Sequence, residues 1–221
     1  MLASLGFEDR DGDGVVEAYG YSGTFPDGKQ WSVPDGTPFE VSFNSILGNA
    51  LRETVAQIFQ SNMADVGIRV SLDLLPIMVY FDDEGPLFER RFDIAEYAWL
   101  SDPDPGGDTL WVGVDILNDA GEVVLPAQIP TEENDWSGQN FDGWANEEAS
   151  YLIYHATNIM DWNERIRLYQ RQQEIFMEEV PTLPLFMRAN VVGFAPDLKG
   201  WEIGPSNELT WNIHVWYFED E

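Results

Sequence analysis

The strongest constraint on the fold lies between Phe39 and Leu74, where the spacing of apolar residues switches from strand to helix and back to strand. Phe39, Val41 and Phe43 alternate with Glu40, Ser42 and Asn44, as expected of a strand with one buried face. From Asn49, a good N-cap, the residues Leu51, Val55, Ile58, Phe59, Met63 and Val66 recur at helical spacing until Gly67 supplies a stop. Ile68, Val70, Leu72 and Leu74 then alternate with Arg69, Ser71 and Asp73. Strand, helix and strand in so short a stretch predict a right-handed βαβ unit with two neighbouring parallel strands.

The rest of the chain is read around that unit. Residues up to Pro38 are turn-rich. A short helical piece is expected over Pro86–Arg91, followed by a buried strand over Phe92–Trp99. The strand must end at Ser101–Asp108, because SDPDPGGD holds two prolines and two glycines. Residues 112–142 are polar and rich in Gly and Pro, which predicts a loop insertion with one hairpin around Asn118–Gly121. Two helices are expected next. One opens at Asn146 with Leu152, Ile153 and Ala156 inward, and the other opens on the Asp161/Glu164 capping pattern with Trp162, Ile166, Tyr169, Phe176 and Val180 on one stripe. Closing strands are expected over Thr182–Phe186 and Asn190–Phe194. The last twenty residues show no clear period, and their Trp201, Trp211, Trp216 and Tyr217 suit either packing on their own lobe or contact with another part of a larger protein.

Charge and composition exclude several functions. Forty acidic against eleven basic residues give a formal charge of −29, with the acids scattered along the chain. Such a surface repels phosphate backbones and anionic headgroups, so no nucleic acid is expected as a partner. The same surface attracts cationic solutes, and it also serves solubility alone. There is no cysteine, hence no disulfide, thiol nucleophile or thiolate metal site. The only histidines are His155 and His214, and no nucleophile elbow, zinc-protease helix or phosphate-binding loop is present, so no enzyme is expected. His155, beside Tyr151, Leu152 and Tyr154, reads as a packed or surface residue. The first residues lack a basic stretch leading into an apolar one, and no run of about eighteen apolar residues occurs.

Two segments can carry chemistry. In open α/β sheets, ligands bind beyond the carboxyl ends of strands, where Trp99–Pro105 is expected. Trp99 offers an indole for stacking, Ser101 a hydroxyl, and Asp102 and Asp104 carboxylates for a solute ammonium group, on a loop stiffened by proline. A turn whose Asp side chains cap local amides fits the same residues. The second segment follows a calcium-loop pattern, with Asp9, Asp11, Asp13, the Val15 carbonyl and Glu17 as ligands and Gly14 at the sharp turn. Gly20 stands where that pattern wants its bidentate Glu, so a plain polar turn stays open beside calcium.

Several stretches together resemble the peptide-type (family 5) extracellular solute-binding proteins of ABC importers, the dipeptide, oligopeptide and nickel class. These are FEDRDGDGVVE, GNALRETVAQIFQSNMADVGIRVSLDLL, RRFDIAEYAWLSDPDP, NFDGWANEE and WNERIRLYQRQQEIFMEEVPTLPLFMRANVVGFAPDLKGW. The resemblance implies an α/β fold: a periplasmic-binding-protein-like class II lobe with a mixed, mainly parallel sheet flanked by helices. It also implies that residues 1–221 are a single lobe, the carboxyl-terminal portion of a two-lobe receptor. Implied partners are a peptide or small-molecule solute, the missing amino-terminal lobe and ABC permease subunits, in the periplasm or outside the cell, with the parent held at the membrane by the transporter or a lipid anchor. No cofactor is required, calcium being the one candidate. By the resemblance Asp102, three residues after Trp99, matches the carboxylate that holds a peptide's amino terminus. The shortened loop leaves Asp104 as an alternative. Nine tryptophans and the calcium-like loop keep one rival in view, a calcium-assisted carbohydrate-binding module, against which the capped helix from Asp161 argues.

Overall fold

The computed structural model describes residues 1–25, 28–100, 104–187, 191–204 and 209–219. The chain forms two compact units, one of Met1–Ala98 with Pro130–Phe141 and one of Trp99–Ile129 with Asp142–Glu221. The stretch expected as an insertion is thereby divided, its first part in the second unit and residues 130–141 in the first.

In the first unit, the segment read as turns holds five short strands: β1 (Phe7–Glu8), β2 (Glu17–Ala18), β3 (Ser22–Thr24), β4 (Gln30–Ser32) and β5 (Thr37–Pro38). They pair antiparallel as β1–β2–β5 and as a β3–β4 hairpin. Strands of two or three residues are too short to show a period.

The βαβ unit is present. β6 (Glu40–Ile46) and β7 (Arg69–Leu75) run parallel in unbroken register from Glu40 opposite Arg69 to Ile46 opposite Leu75, with α1 (Ala50–Ala64) between them in sequence. Asn49 caps α1 by accepting the Arg52 amide at 3.2 Å. The connection to β7 turns at Gly67, whose φ of 81° suits glycine, and an added Cβ would lie 2.8 Å from Val16. Strand alternation sorts the side chains. Phe43 and Val70 pack with Ala56, Phe59 and Met63 of α1, whereas Ile46 joins Tyr80, Leu87 and Phe141 in a separate cluster. Tyr80 belongs to the short helix α2 (Ile77–Tyr80).

Two expectations fail beside this sheet. Over Pro86–Arg91 the chain makes successive turns and no helix, with Arg90 at a φ of 52° that a helix cannot contain. Only β8 (Ile94–Ala95) forms from the expected strand, parallel to β6 on the side away from β7, giving the order β7–β6–β8. The ladder stops because the Glu96 carbonyl, after the Glu96 amide has bonded Asn44, accepts from the Tyr80 hydroxyl at 3.2 Å.

In the second unit, α3 (Asp108–Trp111) precedes the expected hairpin, β9 (Ile116–Leu117) against β10 (Val123–Leu125), whose turn is closed by Asn118 Oδ1 accepting the Ala120 and Glu122 amides. Both long helices appear with their caps. α4 (Glu147–Asn158) has its Ala149 amide bonded by Asn146, and α5 (Trp162–Glu179) has its Glu164 amide bonded by Asp161 at 2.8 Å. Ile153 and Ala156 are buried as expected. On α5 the inward face is turned relative to the expected stripe: Tyr169, Ile175 and Phe176 meet the core, while Trp162 and Val180 are exposed. Trp111, Trp144 and Phe176 meet edge to face with centroids 5.1–6.4 Å apart. Residues 182–186, where Pro184 cannot supply a ladder amide, form no strand, and neither do 191–194, the described part of the expected Asn190–Phe194 strand, Asn190 lying outside the described residues. The pairing falls instead in the aperiodic end, between β11 (Leu198–Lys199) and β12 (Tyr217–Phe218).

Candidate functional site

The loop that follows β8 carries the first candidate set. Trp99 is 42% exposed. Ser101 and Asp102 lie outside the described residues. Asp104 is where a solute could reach it, with 66% of its side chain exposed, yet both its oxygens are engaged. Arg165 of α5 forks onto them, Nη1 to Oδ1 and Nη2 to Oδ2, each at 2.9 Å. The Arg165 guanidinium also donates to the Pro105 carbonyl at 3.2 Å, and the Tyr169 hydroxyl donates to that same oxygen. Its charge sits 5.6 Å from the Tyr169 ring. Hydrogen bonding to Asp104, and next to Tyr169, raises the Arg165 pKa above its ordinary value.

Arg165 and Tyr169 are one helical turn apart, so they share a face of α5. With Asp104, Pro105, Trp162 and Ile166 they line an open pocket of about 230 Å³. The two outer residues of the expected α5 stripe, Trp162 and Ile166, therefore line this pocket and not the core. Arg165 is a residue the sequence reading passed over. The sequence carries no local signal for it, because its partner Asp104 is sixty-one residues away.

The second candidate set is the acidic loop of the first unit. One carboxylate oxygen each from Asp9, Asp11, Asp13 and Glu17 lie within 4.8 Å of one another. Oxygens bound to one calcium ion at 2.3–2.6 Å can be up to about 5 Å apart, so the four fit that ion in type and spacing. The same carboxylates close the turn. Asp9 accepts the Gly12 and Gly14 amides at 2.7 and 3.0 Å, Asp11 the Asp13 amide, and Asp13 the Val15 amide. Asp13 also bonds Arg69 at 2.9 Å, and the buried Glu17 accepts the Arg10 amide at 3.1 Å. Gly12 and Gly14 sit at φ of 81° and 90°, as such a turn needs. Val15 is buried, anchoring the loop.

His155 is exposed on α4 beside Tyr151 and Tyr154. No helix among the described residues is long and apolar enough to cross a membrane.

The parallel order β7–β6–β8 with α1 as crossover is an α/β arrangement, and the solved structures that the chain superposes on define the class: a periplasmic-binding-protein-like class II fold. The expected resemblance to peptide-type solute-binding proteins holds. The chain is 23% identical over 217 residues to the oligopeptide-binding protein AppA of Bacillus subtilis, which covers 98% of this chain and 33% of that protein. It is 26% identical over 150 residues to the peptide transport periplasmic protein SapA of Salmonella typhimurium, covering 68% of this chain and 24% of that one. Among solved structures, the oligopeptide binding protein of Thermus thermophilus in complex with a pentapeptide superposes with a TM-score of 0.67 at 30% identity, over 86% of this chain and 29% of that one. The chain thus spans about a third or less of the length of these relatives. No family model matches it.

Proposed function

We propose that this chain is the solute-gripping part of a receptor that captures peptides, or similar solutes with a free amino terminus, for an ABC importer. The observation that carries the reading is the state of Asp104. Its charge is met by a two-point ion pair, which leaves Asp102 as the loop carboxylate to take a solute's ammonium group. Support comes from the loop's place in sequence, directly after the parallel strand β8, and from peptide-binding relatives over most of the chain. No bond is made or broken in this function. The solute is held between this lobe and an amino-terminal lobe, and its contacts with both favour a closed state that permease subunits recognise. The receptor works in the periplasm or outside the cell, kept near the membrane by the transporter or a lipid anchor.

Calorimetry on the complete gene product with trialanine and N-acetyltrialanine tests the reading. The free peptide should bind at least about tenfold more tightly, since blocking the amine removes the charge that the loop carboxylate is proposed to pair with. The Asp102→Asn variant should lose that preference, and equal affinities in the wild type would end the proposal.

The convergence of four acidic oxygens favours a second, separate role for the Asp9–Glu17 loop, in which it holds calcium weakly as a brace for the first unit. Gly20 in place of a bidentate ligand and the Arg69 contact on Asp13 both limit the affinity.

A further inference from the structure

We infer that Arg165 and Tyr169 are positioning residues for the solute-binding loop, fixing its downstream foot from α5 without touching the solute. The inference rests on the solute-binding reading of that loop. Arg165 is the buried member of its pair, 16% exposed against 66% for Asp104, so the loop is docked onto a site already built into the helix. Two side chains converge on two successive loop residues: the Arg165 guanidinium forks onto the Asp104 carboxylate and also donates to the Pro105 carbonyl, and the Tyr169 hydroxyl donates to that same carbonyl. The fork fixes direction as well as distance, which an ammonium group could not do. The support is itself rigid. Asp161 caps the first turn of α5, the Tyr169 ring packs into the cluster of Val112, Ile116 and Ile153, and Arg171 joins α5 to Glu148 of α4 at 2.8 Å. Arg165 Nε is buried without a partner, so part of the cation's hydration has been given up to reach Asp104. The Asp102 carboxylate lies two residues upstream of this anchor. Holding the anchor reduces the ordering that a solute would otherwise have to impose on the loop.

The test uses the complete gene product, its ratio of trialanine to N-acetyltrialanine affinity, and amide exchange over residues 99–107. A merely structural residue would weaken both peptides alike and leave the ratio unchanged. Arg165→Met should lower the ratio about tenfold and speed exchange in the loop, while Arg165→Lys, with charge but no fork, should recover only part of the ratio. Tyr169→Phe keeps the packed ring and deletes one bond, so it should lower the ratio about threefold even if the Arg165 variants fold poorly. An unchanged ratio in Tyr169→Phe, or loop exchange as slow in Arg165→Met as in the parent, would overturn the inference and leave the functional reading standing. A wild-type protein that does not distinguish the two peptides would overturn that reading, and the inference with it.

Discussion

Arg52 Nη1 donates to Glu96 Oε1 at 2.8 Å, joining the first turn of α1 to the residue that directly follows β8. Both side chains are largely buried, 11% and 14% exposed. The other Glu96 oxygen accepts the hydroxyl of the fully buried Ser45 at 2.5 Å. Glu96 is thereby pinned three residues before Trp99, at the upstream foot of the candidate loop.

Removing one member of this pair should be far more damaging than removing both. Glu96→Ala strands a buried guanidinium and should cost about 3–5 kcal/mol, whereas Arg52→Met with Glu96→Leu should cost only about 1–2 kcal/mol, the part that remains because the buried Ser45 hydroxyl loses its acceptor. Urea unfolding monitored by tryptophan fluorescence measures both. Equal losses in the single and double variants would show that Arg52 finds other partners.

Gly113 makes a prediction of pure geometry. A Cβ there would stand 1.9 Å from the Trp144 carbonyl oxygen and 2.7 Å from the Ala145 Cα, and neither backbone can step aside as a side-chain tip could. Gly113→Ala should destabilise the protein by at least about 2 kcal/mol and disturb the Trp111–Trp144–Phe176 cluster. A lowered midpoint together with a weakened near-ultraviolet tryptophan signal is the expected result. Unchanged unfolding would mean that residues 113 and 144 are not in contact.

Legibility in the sequence followed the length of the pattern. The βαβ unit and both long helices were readable because each repeats its period over several turns or residue pairs and carries a visible cap at Asn49, Asn146 or Asp161. The five short strands before residue 39 and the β11–β12 pair were not, because two or three residues cannot display alternation. The Phe92–Trp99 run was apolar enough for a strand, yet tertiary contacts cut it short when Tyr80 took the Glu96 carbonyl. The candidate site was half legible. Its carboxylates were visible as SDPDP, but Arg165, which engages Asp104, is sixty-one residues from it and belongs to no local motif.

The acidic loop separates two roles by experiment. As turn caps, the Asp9 oxygens bond two backbone amides, so Asp9→Ala should cost about 1–2 kcal/mol in the presence of a chelator. As a cation site, the loop should bind terbium with sensitised emission and release it to calcium in the range of roughly 10⁻⁴–10⁻³ M. Asp11 has the lightest structural duty, one amide, so Asp11→Asn should weaken cation binding several-fold with little loss of stability. Terbium emission that is unchanged in Asp11→Asn would refute the calcium assignment.

Asp108 gives the pH dependence. The carboxylate opens α3 half-buried, and its burial raises its pKa above the ordinary value, although the hydrogen bond from Thr157 at 2.8 Å pulls the other way. A carboxylate with a folded pKa above its unfolded one binds its proton more readily in the folded state, so it favours folding when protonated. That contribution is present at acid pH and disappears as pH rises through the folded pKa, leaving a penalty at neutrality. Asp108→Asn keeps an oxygen to accept from Thr157 and carries no charge at any pH. Relative to wild type it should be the more stable protein at pH 7, and the difference should shrink steadily as pH falls toward the carboxylate range. Paired urea titrations at several pH values between about 4 and 7 provide the comparison. A gap that widens on acidification would mean that the Thr157 hydrogen bond outweighs burial and that the sign is reversed.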